Sequence, residues 1–190
     1  MTAFARASAD EAGRIMEDFI SSVFAEHFDH PFAARMRSAL PELPEEPSDE
    51  QIDAWVELAN LVADPDFRAR VRQMVDEGAR VREHGVADEA TQRAGQAVVE
   101  RVGAALAAGT APEDPEAAAI VDELVAGFAA AVGRTDDPAY RAELLRTLET
   151  FSDARVERYW RLIGVINGWP ERPSLMPAYN WLITALRARL

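Results

Sequence analysis

At 190 residues the chain has room for one domain, or for one domain plus a helical arm. It carries 33 acidic and 20 basic residues, a net charge of −13, and every basic residue is Arg. That field opposes nucleic-acid binding, which needs a basic footprint, and the lack of cysteine excludes disulfides, thiolate metal sites and a cysteine nucleophile.

Arg6, Asp10, Glu11, Arg14, Glu17 and Asp18 break up any apolar signal core at the N-terminus. No stretch approaches the ~20 apolar residues of a membrane span. The expected location is the cytoplasm, with no membrane partner.

Ser8 is a candidate N-cap for the first helix. Its apolar residues come in pairs, Ile15/Met16, Phe19/Ile20 and Val23/Phe24, followed by Phe28, and form a broad stripe. His30-Pro31 interrupts the stripe, because a residue before proline is steered away from the α region. A short helical piece through Phe32, Met36 and Leu40 follows. The three prolines of Pro41–Pro47 then hold the chain extended as a linker.

Ser48 to Gln51 reads as a capping box opening a helix with Ile52, Trp55, Val56 and Ala59 on one face. Asp64-Pro65 pairs an N-cap with proline at N1 and starts a helix bearing Phe67, Val71, Met74 and Val75, with Gly85 as its stop. A further helix spans about 88–108 and ends at Gly109. Asp114-Pro115 starts the next, which runs to Gly133, and Asp137-Pro138 starts another carrying Tyr140, Leu144, Leu148 and Phe151. After Ser152 comes a helix with Val156, Tyr159, Trp160 and Ile163, stopping at Asn167-Gly168. Pro177 sits in the first turn of the last helix. No period-2 run is bounded by turns, so the expected fold is all-α: about seven or eight helices, a separable N-terminal helix and no sheet. The expected organisation is an arm over 1–40, a linker over 41–48 and a helical ligand-binding domain over 49–190.

No phosphate-loop, dinucleotide, zinc-protease, serine-hydrolase or calcium-loop pattern occurs, so no catalytic residue, cofactor or metal is expected. His27 and His30 have ligand-like spacing, but Pro31 follows and no second cluster supports them. His84 fits a helix C-terminus, where a cation is favoured. The aromatic distribution is more informative. Three of the four tryptophans lie within residues 160–181. Trp and Tyr join a large apolar body to a hydrogen-bonding tip, which suits pockets and also suits filling a core of Ala-rich helices. Tyr159, Trp160, Trp169, Tyr179 and Trp181, together with Trp55 and Phe67, are the candidate ligand-binding residues.

The run Leu43-Pro44-Glu45-Glu46-Pro47 through Asp53-Ala54-Trp55-Val56-Glu57-Leu58-Ala59, and then Asp64-Pro65-Asp66-Phe67-Arg68-Ala69-Arg70-Val71-Arg72, resembles the C-terminal region of actinobacterial MerR-family transcriptional regulators. Arg158-Tyr159-Trp160-Arg161-Leu162-Ile163-Gly164-Val165-Ile166-Asn167-Gly168-Trp169-Pro170 does so as well. Length and helix count from about 50 to 188 are similar to TipA-type antibiotic-recognition domains. The resemblance implies an all-α effector domain that senses or sequesters a hydrophobic small molecule, without the basic DNA-binding head of such regulators. It also sets the 8–28 helix where a dimerisation helix would lie, and a homodimer through it is expected. The alternative is a helical dimerisation or protein-interaction module with a dry core.

Overall fold

The computed structural model describes residues 3–24, 31–41, 43–83 and 88–190, and among them it is all-α, with nine helices and no strand. They are α1 (Ala3–Val23), α2 (Pro31–Ser38), α3 (Asp49–Ala63), α4 (Pro65–Glu83), α5 (Asp88–Ala108), α6 (Ala117–Ala131), α7 (Pro138–Phe151), α8 (Ala154–Ile166) and α9 (Met176–Arg187). No described helix is long and apolar enough to cross a membrane. Phe28, His27, His30, His84 and Gly85, singled out in the sequence, lie outside the described residues.

Punctuation residues set most of the boundaries. Ser48 caps α3 with a complete capping box: the Gln51 amide donates to Ser48 Oγ at 3.2 Å, and the Ser48 amide donates to Gln51 Oε1 at 3.0 Å. The Tyr140 amide donates to Asp137 Oδ1 at 2.8 Å, with Pro138 in the first turn of α7. At the other ends, Gly109, Gly133 and Gly168 adopt φ of 74°, 65° and 66°, left-handed conformations that favour glycine. Each is followed by an amide bonded back five residues: Thr110 to Ala105 at 3.0 Å, Arg134 to Ala129 at 2.8 Å, and Trp169 to Gly164 at 2.8 Å. These are Schellman ends, which satisfy carbonyls left free by the last helical turn.

Two boundaries differ from expectation. α1 begins at Ala3, which places Ser8 inside the helix and not at its cap; the preceding Ala-rich stretch is a good helix former and extends the turn backwards. Asp114-Pro115 does not open α6 directly. The Asp114 carboxylate instead accepts from the Ala111 amide at 2.7 Å, and the Asp114 and Pro115 carbonyls accept i+3 bonds from Ala117 and Ala118. A tight turn therefore precedes the helix.

The chain forms two compact units, and each is discontinuous: Met1–Ala79 with Ala154–Pro173, and Arg80–Asp153 with Ser174–Leu190. These units cut across the expected order of arm, linker and domain. In the first, α3 packs on α8 and on α1. Met16, Phe19, Ile20, Val23 and Phe24 on and just after α1 are all buried there with Leu58, Phe67, Leu162 and Ile163. The apolar stripe of the first helix is therefore spent on its own core. In the second unit, α5 packs against α6 and α9, and α7 packs against α9. Val98, Val102, Val121, Leu124, Leu182 and Leu186 supply its centre.

Candidate functional site

The first unit holds a narrow cleft of about 10 Å³. Three helices line it: α2 gives Met36, α4 gives Phe67, Val71 and Met74, and α8 gives Val156, Tyr159 and Trp160. Residues 67, 71 and 74 lie at i, i+4 and i+7, so they share one face of α4, while 156, 159 and 160 share one face of α8. The geometry follows from that spacing and from the Asp64-Pro65 start that fixes α4.

Aromatic rings form the floor. Phe19 and Phe67 stack with centroids 5.7 Å apart and planes 13° from parallel. Tyr159 leans on both, at 5.9 and 6.2 Å, and meets Trp160 edge-on at 5.3 Å. The Arg155 guanidinium lies 5.8 Å from the centre of the Phe67 ring and 3.9 Å from the Asp64 carboxylate.

Tyr159 is the chemically notable residue. It is 1% exposed, and its hydroxyl is buried with no hydrogen-bond partner among the described residues. Burial pushes its ionisation well above the ordinary tyrosine value, so the group stays a neutral O–H donor. An unmet buried hydroxyl costs about 1–3 kcal/mol, and native interiors seldom keep one. An ordered water would not cure it, since such a water needs ~2–4 polar partners and this lining is otherwise apolar.

The seven aromatic residues expected to line a pocket divide between the two units. Phe67, Tyr159 and Trp160 line the cleft. Trp55, from α3, is buried in the same core, and its indole N–H also lacks a partner among the described residues. Trp169 belongs to the first unit but is 47% exposed, and its side chain lies within van der Waals reach of a Cβ placed on Gly164, next to the Schellman end of α8. Trp181 is buried in the second unit, where its indole N–H donates to the Thr110 carbonyl at 2.9 Å and ties α9 to the end of α5. Tyr179 packs at the edge of that core, its hydroxyl 3.2 Å from where a side chain on Gly95 would begin.

Met36, Val71, Met74 and Val156 are the site residues that sequence reasoning passed over. Each was legible only as one more apolar residue on a helix face. For the two methionines the signal available was chemical: methionine is unbranched and flexible, and it fills irregular gaps that stiffer side chains leave.

Several other charged groups form surface pairs. Arg158 holds Glu57 in a two-pronged ion pair between α8 and α3, and Gln51 Nε2 donates to the Ile166 carbonyl at 2.9 Å across the same helices. In the second unit Arg141 bonds Asp136 through two nitrogens, each at 2.6 Å, and reaches Asp122 at 2.7 Å. Among the described residues no cluster of three or more His, Asp or Glu side chains could hold a metal ion. No protein-family model matches the chain, and no curated protein or solved structure matches it.

Proposed function

We propose that the chain is a cytoplasmic, small-molecule-sensing or drug-sequestering effector domain whose receptor site is the Tyr159 cleft. The observation that carries this reading is the buried Tyr159 hydroxyl, without a hydrogen-bond partner among the described residues, beside an apolar cleft. Resemblance to the effector region of MerR-family regulators points the same way. The role is binding and not catalysis: the lining residues offer a phenol and an indole N–H as donors and no base or nucleophile.

At about 10 Å³ the cleft is far smaller than the ~300–1,000 Å³ of a drug-sized pocket. A ligand therefore has to select a more open arrangement, and its affinity difference between closed and open forms sets how far the population moves. Met36 and Met74 are the side chains best able to vacate, having several rotatable bonds and no branch. Because the lining comes from α2, α4 and α8, opening displaces three helices, which is the form a sensor's output would take.

Homodimerisation through residues 8–28 is not needed by this reading. Met16, Phe19, Ile20, Val23 and Phe24 are already buried in the first unit, and a dimer using them would first have to unpack that core.

The small volume favours one competing reading, a protein-interaction module with a dry core. Thermal unfolding in the presence of a library of uncharged hydrophobic compounds separates the two. A ligand that binds the native state raises Tm with its concentration and shifts tryptophan emission saturably. No stabilising compound at any concentration would leave the dry module in possession.

A further inference from the structure

We propose that Tyr159 is the specificity determinant of the cleft: it selects uncharged, largely apolar ligands that carry one hydrogen-bond acceptor, such as a ketone, over shape-matched hydrocarbons. The inference rests on the sensing role above and adds to it the chemical class of ligand. Three observations carry it. The Tyr159 hydroxyl is buried without an acceptor among the described residues, so it enters any complex with an unfilled valence. The other side chains lining the cleft, Phe67 and the two methionines among them, are apolar or aromatic, and the nearby Arg155 guanidinium over Phe67 is already paired with the Asp64 carboxylate, so the lining itself offers a charged ligand no counter-charge. Finally, burial holds the phenol neutral, so it recognises an acceptor by donating and does not attract a cation as a phenolate would.

The selectivity follows from what the unliganded protein lacks. An ordinary hydrogen-bonding residue gives up one bond to make another, and the net gain is small. Here the hydroxyl has no partner to give up among the described residues, so an incoming carbonyl replaces its bond to water with one to the phenol and no protein bond is lost. A hydrocarbon of the same shape leaves the hydroxyl as it was. Met36 and Met74 complete the device, because their thioether chains can swing aside without leaving a polar group stranded.

The test uses the full chain and two probes of nearly equal shape, 2-acetylnaphthalene and 2-isopropylnaphthalene, titrated into protein labelled at the methionine methyls. The chain has five methionines, which gives a sparse spectrum. Expected is movement of the Met36 and Met74 signals while Met176, in the second unit, stays fixed. The reading is the ratio of ketone to hydrocarbon affinity, compared between the unaltered protein and a variant without the hydroxyl. Tyr159→Phe should fold and lower the ketone-to-hydrocarbon affinity ratio about tenfold, because the ketone then gives up its bonds to water with no donor to replace them. An undiminished ketone-to-hydrocarbon ratio in Tyr159→Phe would overturn the role of Tyr159 while leaving the cleft a ligand site. If neither probe moves Met36 or Met74, both the selectivity and the sensing reading fall.

Discussion

The ring of Phe19 from α1 lies stacked on that of Phe67 from α4, centroids 5.7 Å apart, and this contact joins residues 48 positions distant in the chain. Both side chains are essentially inaccessible to solvent. Phe67→Ala and Phe19→Ala should each cost about 3–5 kcal/mol of stability, as for other truncated core aromatics. The double variant should lose less than the sum, because each single change already ruins the stack. Chemical denaturation of the four proteins measures the coupling, and strict additivity would mean that the contact contributes nothing of its own.

Tyr159→Phe runs the other way. Removing a buried hydroxyl that has no partner among the described residues leaves the aromatic packing intact and deletes an uncompensated polar group. Stability should be unchanged or rise by about 1 kcal/mol. A loss of that size in urea unfolding would show that the hydroxyl does find a partner in solution.

The left-handed glycines make a third case. At Gly168 the φ of 66° is open to glycine and strained for other residues, and no neighbouring atom crowds the position. Gly168→Ala should therefore cost about 1–2 kcal/mol through backbone conformation alone. Trp169→Ala, which removes only the half-exposed cover on Gly164, should cost less than truncating a buried aromatic does. Reversal of that order would indicate that the indole is buried in solution.

Acid should weaken the fold through its carboxylate pairs. Hydrogen bonds from Arg158 hold Glu57 below its ordinary value of 4.5, and those from Arg141 hold Asp136 below 3.8, with partial burial opposing both. A lowered folded-state value means stability that is present above the ordinary value and lost as pH falls through the lowered one. At the other extreme, burial raises Tyr140 to about 12 against Arg134, from an ordinary 10.0. Its contribution is complete below 10.0 and fades as pH climbs from 10.0 towards 12. Denaturation midpoints across pH should trace both shoulders, and Arg141→Ala should flatten the acidic one.

Duplex DNA should not be retained by the isolated chain. With a net charge of −13 and its arginines committed in part to carboxylates, the surface opposes phosphate. Sequence-specific retention of any duplex at low salt would sink this expectation.

Much of the fold was legible because proline, glycine and short polar residues act locally. Ser48, Asp137 and the glycines at 109, 133 and 168 fix helix ends through bonds to residues within five positions, so their signal sits in a short window. Asp114 misled because its carboxylate had a competing local partner, the Ala111 amide. The two-unit division was not legible, since it depends on α8 joining α3 and on α9 joining α5, pairings that no local window records. The candidate site shows the same split. Phe67, Tyr159 and Trp160 stood out by residue type, whereas the missing acceptor for Tyr159 is a property of everything packed around it. Trp181 and Tyr179 shared the type without the place.

Because both units are discontinuous, the order in which the chain is synthesised matters. When α1 to α4 have left the ribosome, the surfaces destined to receive Tyr159, Leu162, Ile163 and Ile166 are still bare, and the whole of 80–153 must emerge before α8 arrives to cover them. The second unit in turn waits for α9, the last helix described. A product cut short before residue 154 leaves α3 with a large uncovered apolar face, a ready target for proteases and chaperones. Removing 174–190 takes α9 from the second unit and leaves the first whole, whereas excising 80–153 with a short splice removes most of the second unit and trims only the last turn of α4 from the helices of the first.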